Sequence, residues 1–136
     1  MTATAAGSPR LRTDDALLRL ALRLDAVLTA AFGLVVAVLA GPLSSLTGLT
    51  PTVTFVVGTA LVLYGAVVFA LARLRDVRAA GIGVIVANLA CTVGAVLVVV
   101  EGLAPLTGIG IAAALACAAY TAFFAGLQYL GVRRLA

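Results

Sequence analysis

The sequence predicts an all-α fold, a bundle of four transmembrane helices, and the first observation behind this prediction is where charged residues are missing. Four apolar stretches make up most of the 136-residue chain: 16–40, 52–72, 80–100 and 106–131. A helix of about 20 apolar residues spans the hydrocarbon core of a bilayer, where its backbone satisfies its own hydrogen bonds. The second observation is composition, with 64% hydrophobic and 10% charged residues. A soluble domain would have to expose much of that apolar surface to water, so the chain is predicted to be a membrane protein.

The first part of the chain is predicted to be a disordered tail, residues 1–13, followed by the four-helix transmembrane domain, residues 14–136. The tail is small and polar and shows no helical period. Asp15 favours the positive N-terminal end of a helix. Arg19 and Arg23 are four residues apart, share a helix face and can extend to the lipid headgroups. The first turns of this helix are therefore expected in the membrane interface.

The connections are predicted from proline and glycine. Residues 41–51 include Gly41 and Pro42 and are expected to form a loop. Pro51 is placed to open the second transmembrane helix, because proline at the first helical position removes no hydrogen bond. Pro105 is expected to open the fourth helix in the same way.

The arginines predict how the helices are oriented. All nine basic residues are arginine, a bias that GC-rich bacterial codon usage produces. They are Arg10, Arg12, Arg19, Arg23, Arg73, Arg75, Arg78, Arg133 and Arg134. The connections 41–51 and 101–105 contain none. Short arginine-rich segments stay in the cytoplasm, so both termini are predicted to be cytoplasmic in a multi-pass protein of the plasma membrane. A cleaved signal peptide ending near Gly41 is the alternative, and the length of the apolar stretch and its Asp25 argue against it.

A shift of 60 residues relates the two halves of the chain. It aligns Leu46-Thr47-Gly48-Leu49 with Leu106-Thr107-Gly108-Ile109 and Arg73 with Arg133. This predicts two repeated helical hairpins, related by an axis along the membrane normal. Asp25 aligns with Ile85, so the acidic residue belongs to one half only.

Asp25, Tyr64, Asn88 and Tyr120 are predicted to form one polar layer inside the membrane. Counting inward from the outer helix ends at 1.5 Å per residue places all four side chains about 18 to 22 Å deep. An ionisable group at such a depth is costly unless paired or hydrated, which makes Asp25 a candidate functional residue. The helical stripes predicted to face inward are Asp25, Thr29, Gly33 and Ala37; Asn88, Cys91, Thr92 and Ala95; and Cys117, Thr121, Ala125 and Gln128.

Three interpretations of Asp25 stay open at this point. It can lock the helices together by bonding to Asn88 or a tyrosine hydroxyl, or by pairing with Arg23 or Arg73. It can handle protons or cations. It can also contact lipid headgroups, because the inner membrane surface is near.

The sequence does not indicate a metal-binding, cofactor-binding, catalytic or nucleic-acid-binding site. The chain has no histidine and two cysteines, so no metal site, cofactor or enzymatic activity is predicted. Cys91 and Cys117 fall at similar depth on neighbouring helices and could touch, but buried membrane cysteines usually act as small apolar residues. Gln128 and Tyr129 are interpreted as interfacial residues. Arginines at helix ends leave no basic face for nucleic acid.

The stretch from Arg19 to Val27, the charge-free Gly-Pro-Leu loop at Gly41 and the final Gly-Leu-Gln-Tyr-Leu-Gly-Val-Arg-Arg resemble the small four-span integral membrane proteins of GC-rich bacteria. In size and topology the chain is similar to DoxX-like proteins, which implies an accessory membrane subunit. It also resembles small multidrug-resistance transporters, with four spans and a lone acidic residue in the first. Those carry a glutamate with aromatic partners, often tryptophan, whereas this chain has Asp25 and no tryptophan.

The first expectation is therefore a non-enzymatic accessory, assembly or lipid-contacting component, with the bilayer and other membrane proteins or a second copy as partners. The alternative is an oligomeric proton-coupled carrier of small molecules that uses Asp25. A carrier needs a cavity through which water reaches Asp25, whereas an accessory protein can have a closely packed core.

Overall fold

A computed structural model describes the backbone from residue 2 to residue 135 and the side chains from residue 15 to residue 135. Its helices are α1 (Thr2–Val38), α2 (Ala40–Thr47), α3 (Pro51–Leu71), α4 (Val77–Val100) and α5 (Gly108–Arg133). Four segments are long and apolar enough to cross a membrane, namely Asp15–Val38 of α1 and the whole of α3, α4 and α5. The described residues contain no strand. The prediction of an all-α bundle with four transmembrane helices is confirmed.

The N-terminal segment differs from its prediction. α1 begins at Thr2, so the backbone of residues 2–13 is helical where the sequence predicts a disordered tail. Extending an existing helix costs much less than nucleating a new one, and the alanines of this segment favour the extension.

The connection between α1 and α3 is also more regular than predicted. Residues 41–51 were expected to form a loop, yet most of them belong to α2. Pro42 lies in the first turn of α2, where the missing backbone N–H has no helical partner to lose. Gly48 then ends the helix with a φ of 90°, and its N–H donates to the carbonyl of Ser44 at 3.0 Å. Glycine adopts this left-handed conformation without steric cost.

Pro51 is the first residue of α3, as predicted, but Pro105 does not open α5. α5 begins at Gly108, and the Thr107 side chain accepts a hydrogen bond from the Gly110 N–H at 3.1 Å. A hydroxyl at this position satisfies a free N–H of the first helical turn, which proline is unable to do. Pro105 therefore lies in the connection before the helix cap.

The helices pack unequally. α1 packs most extensively on α3 and also on α5, α4 packs on α5, and α3 and α4 barely meet. In a symmetric pair of hairpins the α3–α4 contact would match the α1–α5 contact, so the two hairpins are not packed symmetrically. The repeated threonines do meet, at the end of the bundle opposite the arginines. The Thr107 N–H donates to the Thr47 carbonyl at 3.0 Å, and the Thr107 hydroxyl donates to the Leu46 carbonyl.

All four transmembrane helices converge on a hydrophobic core at the end where the arginines lie. Leu18 of α1, which is fully buried, is part of one cluster with Ala72, Val77 and Val132. α5 approaches α1 so closely here that a β-carbon at Gly131 would lie 2.7 Å from the Leu18 Cα. Only glycine permits this distance between the two backbones.

The contact between α1 and α3 is a second place of close approach, which we call the glycine seam and define as Gly33, Gly58 and Gly65. A β-carbon added at Gly33 would lie 2.6 Å from the Gly58 carbonyl oxygen and 2.7 Å from the Leu61 Cβ. One added at Gly65 would lie 2.6 Å from the Ala26 carbonyl oxygen. The neighbouring atoms are largely backbone, which is unable to move aside. Small residues thus set the distance between α1 and α3.

Candidate functional site

The carboxylate of Asp25 lies at the centre of the transmembrane domain's polar side chains and is 0% exposed. Its Oδ2 accepts hydrogen bonds from Asn88 Nδ2 at 2.9 Å and Gln128 Nε2 at 2.8 Å. Its Oδ1 accepts from the hydroxyls of Thr29 at 3.0 Å and Tyr120 at 3.1 Å. A carboxylate offers about four acceptor sites, so side chains of the protein fill the capacity of Asp25.

The partners of Asp25 also bond to one another. Asn88 Nδ2 donates to Gln128 Oε1 at 2.9 Å, and Asn88 Oδ1 accepts from the Tyr64 hydroxyl at 3.1 Å. The Tyr120 hydroxyl lies 3.2 Å from the backbone carbonyl oxygen of Asp25. We call this set the polar network: Asp25, Thr29, Tyr64, Asn88, Tyr120 and Gln128. It joins α1, α3, α4 and α5.

The structure brings the four predicted residues of the polar layer together. Asn88 and Tyr120 bond to Asp25 directly, whereas Tyr64 is linked to it through Asn88. Asn88 is 1% exposed. Counting residues inward from the helix ends groups these four side chains, because an α-helix rises by a constant distance per residue.

Gln128 was predicted on the inward stripe of the fourth helix and was also interpreted as an interfacial residue, and the structure places it on the inward side. It is 0% exposed and bonds to both Asp25 and Asn88. The signal was present in the helical spacing, because Gln128 follows the buried Ala125 by three residues on one face of α5. Tyr129, the next residue, points outward and is 53% exposed.

The predicted inward stripe of α1 divides between two neighbours. Asp25 and Thr29 face the polar network, whereas Gly33 and Ala37 face α3 near Gly58. Each step of four residues advances the side chain by about 40° around an α-helix, because the helix has 3.6 residues per turn. A four-residue repeat therefore drifts from one partner helix to another over three turns.

Farther from Asp25, α4 and α5 are joined by hydroxyl groups instead of cysteines. The Thr92 and Thr121 side-chain oxygens lie 2.6 Å apart, and Thr92 also donates to the Asn88 carbonyl at 3.0 Å. Cys91 and Cys117 are both free and exposed. The cysteines thus lie on the outer faces of these helices and do not contribute to the predicted inward stripes.

The arginines do not compensate the Asp25 carboxylate. Arg19 instead forms an ion pair with Asp15 at 3.0 Å and donates to the carbonyls of Ala72 at 2.7 Å and Arg75 at 3.1 Å. Arg23 is exposed. Within residues 15–135 the carboxylate is held by uncharged donors alone. Of the partners considered for Asp25 in a locking role, the structure therefore has Asn88 and a tyrosine hydroxyl in place of an arginine.

The buried side-chain polar atoms of this part of the chain are all hydrogen-bonded. Between residues 15 and 135, every buried side-chain nitrogen or oxygen has a hydrogen-bond partner. Over the same residues, no three His, Cys, Asp or Glu side chains come together in a way that could hold a metal ion. The chemistry available at Asp25 is hydrogen bonding, with one carboxylate and the hydroxyl and amide groups that surround it.

Comparison with known proteins adds no further identification. No protein-family model matches the chain, and neither a curated protein nor a solved structure matches it significantly.

Proposed function

We propose that this chain is a non-enzymatic membrane component with an accessory, assembly or lipid-contacting role, in which Asp25 fixes the arrangement of the helices. The observation that carries the proposal is that four side-chain donors occupy the Asp25 carboxylate, which is 0% exposed. A transported proton or cation has to reach the carboxylate. Here protein groups fill the positions that water or a substrate would take. The similarity in size and topology to DoxX-like proteins supports the same class.

The polar network supports a locking role because lipid provides little hydrophobic force between helices. Asp25, Asn88 and Gln128 would each lose hydrogen bonds if their helices separated or paired differently. A hydrogen bond between transmembrane helices contributes about 0.6 kcal/mol on average, and a different pairing of the helices would lose several such bonds at once. The arrangement in which the three side chains meet is therefore favoured over other orders of the same helices.

The outer surface supports contact with lipid. Large apolar side chains are exposed along all four transmembrane helices, for example Leu34 at 58%, Leu63 at 62% and Phe123 at 61%. A shallow apolar groove of about 310 Å³ lies between α1 and α3, with Leu34 and Phe55 among its lining residues. Acyl chains are the natural solvent for such a surface.

We extend the proposal to orientation, with both termini and the α3–α4 connection on the cytoplasmic side. Arg73, Arg75 and Arg78 lie in or beside that connection, and Arg133 and Arg134 end α5 at the same end of the bundle. The opposite end carries Glu101 at the end of α4. Alkaline phosphatase fused after Arg134 should be inactive, whereas a fusion within the α4–α5 connection should be active. The reverse pattern would overturn the orientation.

The function of Asp25 is tested by proton release. Purified protein in weakly buffered detergent is mixed with a panel of lipophilic cations, and the released protons are measured for wild type, Asp25→Asn and Glu101→Gln. Glu101→Gln is the matched control, because it removes a carboxyl group from the exposed end of α4. We expect no release that depends on Asp25.

Release seen in wild type and Glu101→Gln but lost in Asp25→Asn would overturn the locking role. It would favour the proton-coupled carrier instead, because cation binding would then displace a proton from this carboxyl group.

A further inference from the structure

Two arginines at the basic end of the bundle lie over aromatic rings at cation–π distance. The Arg73 guanidinium carbon lies 5.3 Å from the centre of the Phe69 ring, and that of Arg133 lies 5.9 Å from the centre of the Tyr129 ring. In each pair the arginine follows the aromatic residue by four positions, about one helical turn. We call Arg73 and Arg133 the stacked arginines.

The stacked pairs are related by the sequence repeat. The shift of 60 residues that aligns Arg73 with Arg133 also aligns Phe69 with Tyr129. Asp25 has no counterpart in the second half, yet this arrangement is present in both halves, at the ends of α3 and α5. Two independent helices therefore present the same chemical group at the same end of the bundle.

Both pairs lie on the outside of the protein. Phe69 is 37% exposed and Tyr129 is 53% exposed, and both stacked arginines are exposed. Tyrosine near the end of a transmembrane helix lies at the level of the lipid headgroups, and Phe69 is the counterpart of Tyr129 in the repeat. A guanidinium one turn beyond such a ring, and stacked on it, is held at headgroup depth.

Stacking leaves the hydrogen-bonding capacity of these guanidinium groups free. The N–H groups of a guanidinium lie in its plane, and two of them match two oxygens of a phosphate. Over the described side chains, the arginine with protein acceptors is Arg19, which bonds to Asp15, Ala72 and Arg75. The N–H groups of Arg19 are therefore bonded within the protein, whereas those of the stacked arginines are available to a ligand.

The charge around the stacked arginines fits an anion. Arg75, Arg78 and Arg134 lie beside them in sequence, and Asp76 is the one acidic residue in 69–80 and 126–136. Positive charge of this kind attracts the anionic lipids of the cytoplasmic leaflet. A choline headgroup carries its own ammonium and gains less from such a surface.

We propose that Arg73 and Arg133 each bind the phosphate of an anionic phospholipid, with Phe69 and Tyr129 holding the guanidinium groups in position. This rests on the proposed lipid-contacting role and on the cytoplasmic orientation, and it names the lipid class and the residues. The rings contact the upper acyl chain, and the guanidinium N–H groups bond to the phosphate oxygens.

The test is lipid retention by the purified full-length chain in native mass spectrometry. The probes are phosphatidylglycerol and phosphatidylcholine with identical acyl chains. Wild type should retain phosphatidylglycerol preferentially, with up to two molecules bound. Arg73→Gln and Arg133→Gln should each weaken one of the two binding steps about tenfold, as expected for a lost charge-assisted hydrogen bond.

Two further variants separate stacking from charge. Arg78→Gln removes the same charge from an exposed arginine outside the two stacked pairs, and it should change affinity less than about twofold because diffuse charge is largely screened. Phe69→Leu keeps every charge but removes a ring, and it should weaken one step about threefold, the usual scale of a cation–π contact at an exposed site. Thermal melts confirm that each variant is folded.

Equal losses in Arg73→Gln and Arg78→Gln would overturn the proposal in favour of diffuse attraction. Equal retention of the two lipids would also overturn it, as would displacement of phosphatidylglycerol by millimolar inorganic phosphate, which would indicate a site for a free anion. Proton release at Asp25 is measured separately from lipid retention. A failure of the lipid-binding proposal is therefore distinguishable from a failure of the proposed function.

Discussion

Toward α3, α1 presents glycine and alanine, whereas toward α4 and α5 it presents Asp25 and Thr29. In the glycine seam the atom nearest to a β-carbon added at Gly33 or Gly58 would be a backbone atom of the opposite helix. In the polar network the closest neighbours of Asp25 are amide and hydroxyl groups at 2.8 to 3.1 Å. One helix is thus held on one side by shape and on an adjacent side by hydrogen bonds.

The difference shows two ways of packing helices where lipid removes the hydrophobic driving force. The seam gains dispersion energy from close backbones, so it depends on the size of a residue and hardly on its polarity. The network gains from satisfied polar groups, so it depends on donors and acceptors. An added methyl group should therefore be more harmful in the seam than in the network. Removal of a polar group should be more harmful in the network than in the seam.

The largest effect is expected from one added methyl group in the seam. Gly58→Ala places a β-carbon against the Ala37 N and 2.7 Å from the Gly33 carbonyl oxygen. Since backbone atoms are unable to yield locally, α1 and α3 must separate, at a cost of about 3 kcal/mol in the free energy of unfolding. SDS titration in mixed micelles measures this value.

Gly94→Ala is the matched control, because a β-carbon at Gly94 meets nothing within 4 Å. Its free energy of unfolding should stay the same or rise by up to about 1 kcal/mol, the gain in helix propensity. Equal losses in the free energy of unfolding for Gly58→Ala and Gly94→Ala would show that the close approach of α1 and α3 at Gly58 is unimportant.

A smaller loss in the free energy of unfolding is expected when the hydrogen-bond acceptor at the centre of the polar network is removed. Asp25→Ala leaves Asn88 Nδ2 and Gln128 Nε2 without the carboxylate that accepts from them. Four membrane hydrogen bonds at about 0.6 kcal/mol each give a loss of about 2 kcal/mol. The same SDS titration measures it, and a change below about 0.5 kcal/mol would contradict the locking role.

Asp25→Asn should be tolerated much better than Asp25→Ala. The amide oxygen can accept from Asn88 and Gln128, and the amide nitrogen can donate to Thr29 and Tyr120, whose hydroxyls are acceptors as well as donors. We expect a loss of about 1 kcal/mol or less in the free energy of unfolding. A loss equal to that of Asp25→Ala would mean that the negative charge itself is required.

The smallest effect expected is the coupling between the two regions. Gly58 contacts Gly33, which lies eight residues from Asp25, a distance of about 12 Å along α1. The losses of Gly58→Ala and Asp25→Ala should therefore add in the double variant to within about 0.5 kcal/mol. A larger coupling would show that the spacing of α1 and α3 controls the geometry of the network.

Several features of the structure could be predicted from single segments of the sequence. The four spans follow from their length, which the thickness of the bilayer determines, and from the absence of charges, which are costly in hydrocarbon. Asp25, Asn88 and Tyr120 were located by depth, since helical rise is constant. Pro51 was placed at a helix start by its fixed backbone geometry. These properties belong to single segments and do not depend on which helices are neighbours.

The remaining features needed the tertiary structure, because each depends on a neighbour that the sequence does not name. The partners of Gln128 are decided by the packing of α1 and α4, which bring Asp25 and Asn88 to it. The stripe of α1 divides between two partners because α3 lies beside its later turns. The seam glycines read as ordinary small residues until the opposite backbone is seen. A local pattern determines which face is small or polar, and packing determines what that face meets.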